Sequence, residues 1–154
     1  GGESMIVDGY KVLSDLREDC PNFFDVLRTF TVPFREFDEE NETYANEPII
    51  RLNSLNEVIG FRYSNQLMQM IDPRKQNIDL FYKAYHELCK RVNDKKYKSI
   101  FRLDAGNILL VSSHRVLHGR KEFKPDGKRH LQDAYYELDN IENNLFLYKN
   151  LRGN

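Results

Sequence analysis

The segment Ile108–Arg129, ILLVSSHRVLHGRKEFKPDGKR, decides how this chain is read. An apolar run leads to His118, the group Lys124-Pro125-Asp126-Gly127 breaks the chain, and Arg129 opens a second β-forming stretch. Pro and Gly in that arrangement punctuate strands. The segment therefore predicts a mostly buried strand over Asn107–Val116, a turn at Lys124–Gly127, and a strand over Arg129–Leu138. An imidazole can hold a metal, and a guanidinium can grip a carboxylate through two parallel hydrogen bonds. Converging from neighbouring strands, His118 and Arg129 suggest metal-dependent chemistry on an acidic co-substrate.

Working outward, Ser4–Asp8 reads as a short strand. Val12, Leu13 and Leu16 recur at helical spacing from Tyr10 to about Cys20. Pro21 suits a first helical position, with Phe23, Phe24, Val26, Leu27 and Phe30 as the apolar stripe of a second helix. Thr31–Phe37 alternates as a strand in which Pro33 marks an edge or bulge. The acidic stretch Asp38–Glu42, continuing to about Asn46, reads as a solvated loop. Ile49–Leu52 and Val58–Tyr63 form a hairpin around Asn53–Glu57. Apolar positions 78, 81, 85, 88 and 92 describe a long helix over Ile78–Val92. Phe101–Leu103 is a strand, Asp104–Asn107 a turn, and Asp139–Asn144 a short helical turn. About seven strands interrupted by three helices favour a mainly β sandwich or jelly roll decorated by helices.

At 154 residues the chain suits one domain. A net charge of −1 calls for no nucleic acid and no anionic membrane as partner. The longest apolar run, Ile108–Val111, is far too short to span a bilayer. Cys20 and Cys89 stand in no metal or redox spacing and fit a reducing compartment, cytoplasmic or mitochondrial. The chain opens on Gly1-Gly2-Glu3-Ser4 and not on Met, as a piece of something longer would.

Among the four histidines, His86 sits in the long helix without a second imidazole one turn away. His114 and His118 share a strand face but would lie roughly 13 Å apart, too far for one ion. His130 points away from Arg129 in a regular strand. The basic cluster Arg115, Arg120, Lys121, Lys124, Lys128 and Arg129 is interrupted by Glu122 and Asp126, and lacks interleaved aromatics, so it reads as a solvated turn. There is no phosphate-binding Gly loop and no G-x-S-x-G elbow. These residues alone stop at a helix-decorated sheet domain.

Five blocks taken in order say more: Gly1–Ser4 with Ile6–Tyr10 (GGES, IVDGY), Arg62–Asn65 (RYSN), Asp104–Val111 (DAGNILLV), Arg115–Phe123 (RVLHGRKEF) and Gly127–Asp139 (GKRHLQDAYYELD). Together they resemble the C-terminal half of the γ-butyrobetaine and trimethyllysine dioxygenase family, within the taurine-dioxygenase-like (TauD/TfdA) iron(II)/2-oxoglutarate oxygenases. The resemblance implies that residues 1–154 are the C-terminal part of a single oxygenase domain. Its fold would be an incomplete double-stranded β-helix of the clavaminate synthase-like type. It also implies Fe(II) held by two His and one carboxylate, with 2-oxoglutarate as co-substrate, hydroxylating a small aliphatic quaternary ammonium compound.

By that resemblance His118 matches the last iron ligand and Arg129 the residue holding the distal carboxylate of 2-oxoglutarate. Asn65 and Tyr135 match substrate contacts, Tyr135 offering a ring face to a cation. The family's H-x-D pair is absent between Gly1 and Asn154. Ser64 stands for a first Asn, Met68 where Arg is common, Val111–His114 where the family usually reads F-D-N-x, and Asp133 where Gly is common. Two expectations follow: an enzyme whose remaining ligands lie in a missing N-terminal half, or an inactive oxygenase-like fold serving as a binding or scaffolding subunit. In either, uncovered sheet edges predict poor solubility or pairing with another chain, a homodimer among the options.

Overall fold

The computed structural model describes residues 1–124 and 130–151. They fall into two compact units, divided after Lys124. In the first, Asp8 ends strand β1 (Ser4–Asp8) and caps helix α1 (Gly9–Asp19), its carboxylate accepting from Tyr10 N at 3.1 Å. That is what an N-cap Asp supplies to the orphan N–H groups of a first turn. Helix α2 (Pro21–Thr29) starts on the predicted Pro and buries Phe24, Val26 and Leu27. Helix α3 (Ile78–Asn93) buries Phe81, Ala84, Tyr85, Leu88 and Val92 along one stripe. The three helices pack on one another. Their core closes on Val7, Ile49 and Ile50. Arg91 of α3, largely buried, ties to Asp19 at 2.8 Å and Glu87 at 2.9 Å, fastening α3 to the end of α1.

Three small antiparallel sheets flank these helices. Strands β2 (Thr31–Phe37) and β3 (Glu42–Pro48) pair from Thr31–Pro48 to Phe37–Glu42. Strands β4 (Ile50–Leu52) and β5 (Val58–Phe61) form the predicted hairpin. The third sheet has β1 at its centre, with β6 (Lys98–Phe101) on one side and β7 (Val116–Arg120) on the other. In it Val7 faces Leu117, and Ile6 faces His118.

Four expectations are corrected. The stretch Glu42–Pro48 is a strand, because Asp38 Oδ1 accepts from Glu40 N and Asn41 N and so turns the chain back onto β2. The strand expected over Asn107–Val116 begins only at Val116, and Ile108 and Leu110 are 92% and 82% exposed. β propensity alone does not order a run that has no neighbour to pair with. Residues 130–137 form no strand, and a full helix α4 (Leu138–Leu151) follows, with Asp139 in its first turn and Lys149 in its last. Those charges suit the helix dipole. The expected turn at Lys124–Gly127 lies outside the described residues after Lys124. The described residues form a mixed helix and strand architecture, in which helices take more residues than strands. The described strands form three separate sheets and not one curled sheet.

Candidate functional site

His118 is held by a junction that the residues Asp8-Gly9-Tyr10 create. The Asp8 carboxylate receives Arg115 Nε at 3.1 Å and Nη2 at 2.6 Å, a two-pronged grip across 107 residues of chain. Arg115 also lies over the Tyr10 ring, 5.5 Å from its centre. The Arg115 guanidinium holds the Asp8 carboxyl below the usual carboxylate range. Gly9 N donates to Arg115 O at 2.9 Å. A Cβ on Gly9 would stand 1.9 Å from the Phe61 ring, so only Gly fits here. Three residues after Arg115, His118 is exposed on β7 opposite Ile6.

The same junction reaches β5. A Cβ on Gly60 would be 3.7 Å from His114 Nδ1, so the lead-in to β7 lies on Gly60 as well as near Phe61. Four residues beyond Phe61 comes Asn65, also exposed. Tyr85 Oη donates to Asn65 Oδ1 at 2.7 Å, and Tyr63 Oη donates to Cys89 Sγ at 3.3 Å. The segments leading to His118 and to Asn65 thus meet at Gly60–Phe61. No hydrogen bond joins the two side chains themselves among the described residues.

The remaining predicted residues stand differently. Arg129 lies outside the described residues. Tyr135 is in the second unit, 87% exposed, in a stretch without strand structure. His86, His114 and His130 are exposed. Of the residues marking departures, Ser64 Oγ accepts from Leu67 N at 3.3 Å, and Met68 makes an isolated bridge to Phe34. A surface cleft of about 320 Å³ beside Pro33, Tyr44, Ile71 and Lys75 contains none of the predicted site residues. Among the described residues no group of three His, Cys, Asp or Glu could hold a metal ion. No described helix is long and apolar enough to cross a membrane. The residues that sequence reasoning missed are Tyr63, Tyr85 and Cys89. The Tyr85–Asn65 and Tyr63–Cys89 contacts join residues 20 and 26 apart, so neither carries a local signal in the sequence.

Residues 1–135 match the family model described as taurine catabolism dioxygenase TauD, TfdA family. The chain belongs to that family. Within it, γ-butyrobetaine dioxygenase of Pseudomonas sp. (strain AK-1) is 31% identical over 142 residues, covering 92% of this chain and 37% of that protein. The Homo sapiens γ-butyrobetaine dioxygenase is 28% identical, over 94% of this chain and 39% of the relative. Trimethyllysine dioxygenase of Meyerozyma guilliermondii is 26% identical, over 96% and 38% respectively. The chain therefore spans little more than a third of the length of these relatives.

Proposed function

We propose that this chain is the C-terminal part of a single TauD-type oxygenase domain. The protein carrying it would be an iron(II)- and 2-oxoglutarate-dependent dioxygenase that hydroxylates an aliphatic carbon of a small quaternary ammonium compound. The observation that carries the reading is the family match over residues 1–135, a span that includes His118 and Arg129. The names of the γ-butyrobetaine and trimethyllysine relatives supply the substrate class. A jelly roll belongs, in this reading, to the whole domain.

Each site residue then has a task. His118 is the last of three iron ligands, Arg129 grips the distal carboxylate of 2-oxoglutarate in a bidentate fork, and Asn65 and Tyr135 contact the substrate. The described residues do not by themselves fit the metal, because one imidazole does not hold iron(II) against water. The other two ligands, the family's H-x-D pair, belong to a segment outside this sequence. The length of the relatives leaves room for one. Iron with 2-oxoglutarate supplies the oxidising power when bound, and the residues of this chain bind, orient and exclude water. The partners are small molecules, together with the missing half or a second copy over the exposed edges. The free thiols Cys20 and Cys89 fit the cytoplasm or the mitochondrion.

The test is succinate release from 2-oxoglutarate by the natural protein that carries this chain, with γ-butyrobetaine as the probe substrate. Arg129→Ala is expected to raise the KM for 2-oxoglutarate at least about tenfold, the worth of one charge-assisted hydrogen bond. Equal turnover and equal KM in both proteins would end the role given to Arg129.

A further inference from the structure

Asn65 is exposed, yet its amide oxygen is held by a buried tyrosine. The Tyr85 hydroxyl donates to its oxygen at 2.7 Å. The Tyr63 hydroxyl gives its one proton to Cys89 Sγ at 3.3 Å, which leaves the Tyr63 oxygen free only to accept. The amide oxygen therefore faces Tyr85.

The two phenols are themselves anchored. Tyr63 stacks on Tyr85 at 5.7 Å, Tyr85 on Phe81 at 5.8 Å, and Phe81 on Phe30 at 4.5 Å. Phe81, Tyr85 and Cys89 fall four apart on α3, so one helix face supports the whole arrangement. Burial first, then Cys89, pushes the Tyr85 hydroxyl up to about 12 and the Tyr63 hydroxyl well above the usual phenol range. Both therefore keep their protons throughout the neutral and acid range. Ordering an exposed Asn costs side-chain entropy and contributes nothing to a core.

We propose that Tyr85, backed by the stacked Tyr63 ring, is a positioning residue that holds the Asn65 amide by its oxygen, leaving the amide N–H donors and one oxygen lone pair for a bound substrate. Cys89 accepts the Tyr63 hydroxyl and so anchors the ring that stacks on Tyr85. The inference rests on the reading of Asn65 as a substrate contact, and its test has two arms.

In this chain, the two side-chain amide protons of Asn65 are followed by ¹⁵N–¹H NMR. They are expected at separate, displaced positions that collapse toward those of a free amide in Tyr85→Phe. Signals that do not move would overturn the lock. In the natural protein with γ-butyrobetaine as probe, Tyr85→Phe raises KM about tenfold with kcat within about twofold. The Tyr85→Phe/Asn65→Ala double variant is no worse than Asn65→Ala alone. Additive losses, or a lowered Tm with KM unchanged, would make Tyr85 merely structural and overturn the proposal. If the natural protein neither binds nor turns over γ-butyrobetaine, the functional reading falls, while the amide signals still decide whether the lock exists.

Discussion

Gly9→Ala probes the junction on which the placement of β7 depends. The added methyl would lie 1.9 and 2.2 Å from two Phe61 ring carbons and 2.8 Å from Arg115 O. Phe61 is 6% exposed and packed in the core, so its ring has little room to swing aside. Overpacking of this kind costs about 3 kcal/mol, the upper end of the usual range. Pushing Arg115 O away also weakens its 2.9 Å bond from Gly9 N, costing about 1 kcal/mol more. Against these, Ala favours the first turn of α1 over Gly by up to about 1 kcal/mol. The steric term wins, and a net loss of about 3 kcal/mol is expected. Urea unfolding followed by circular dichroism would show the midpoint falling by about 1.5 M, taking a slope of about 2 kcal/mol per M. A midpoint that is unchanged or raised would refute the packing of α1 against β5 and the β7 lead-in.

Phe81→Ala empties the centre of the aromatic stack between Phe30 and Tyr85, at a site with no exposure, and is expected to cost about 3–5 kcal/mol in the same assay. The hydrogen bond from Lys11, then that from Tyr97, lowers the Asp15 carboxyl from 3.8 to about 2. Its folded value lies below its unfolded one, so its contribution is present above about pH 4 and lost as pH falls toward about 2. Thermal melts across that window should show a weaker acid dependence in Asp15→Asn than in the parent chain. Calorimetric titration of this chain alone with Fe(II) under anaerobic conditions should give no tight site, since the described residues offer no three-ligand group. A saturable site of micromolar affinity would show that further ligands lie within residues 1–154.

The helices and most early strands could be read from residue spacing, because each has a buried stripe with the matching period. Val12, Leu13 and Leu16, or Phe81, Tyr85 and Leu88, leave little choice of helix face. Strand β3 was hidden because both of its faces are largely solvated, so no alternation marks Glu42–Pro48. Its real signal was Asp38, whose carboxylate closes the turn that starts the return strand. Ile108–Leu110 misled in the opposite sense: the residues favour a strand, but pairing decides, and none is supplied among the described residues. In α4, Ile141, Leu145 and Tyr148 recur at helical spacing through a helix longer than the turn expected at Asp139–Asn144. The expectations for His118 and Asn65 came from family motifs. The Tyr63, Tyr85 and Cys89 support was not legible there, since it exists only once α3 is folded against the end of β5.

The most direct measurement is anaerobic Fe(II) binding by the natural protein that carries this chain, compared with its His118→Ala variant. One iron per chain is predicted, with affinity falling at least about a hundredfold in the variant, the upper end of the loss found even for residues that only support metal ligands. Iron bound with the same affinity after removal of that imidazole would contradict the assignment of β7 to an oxygenase metal centre.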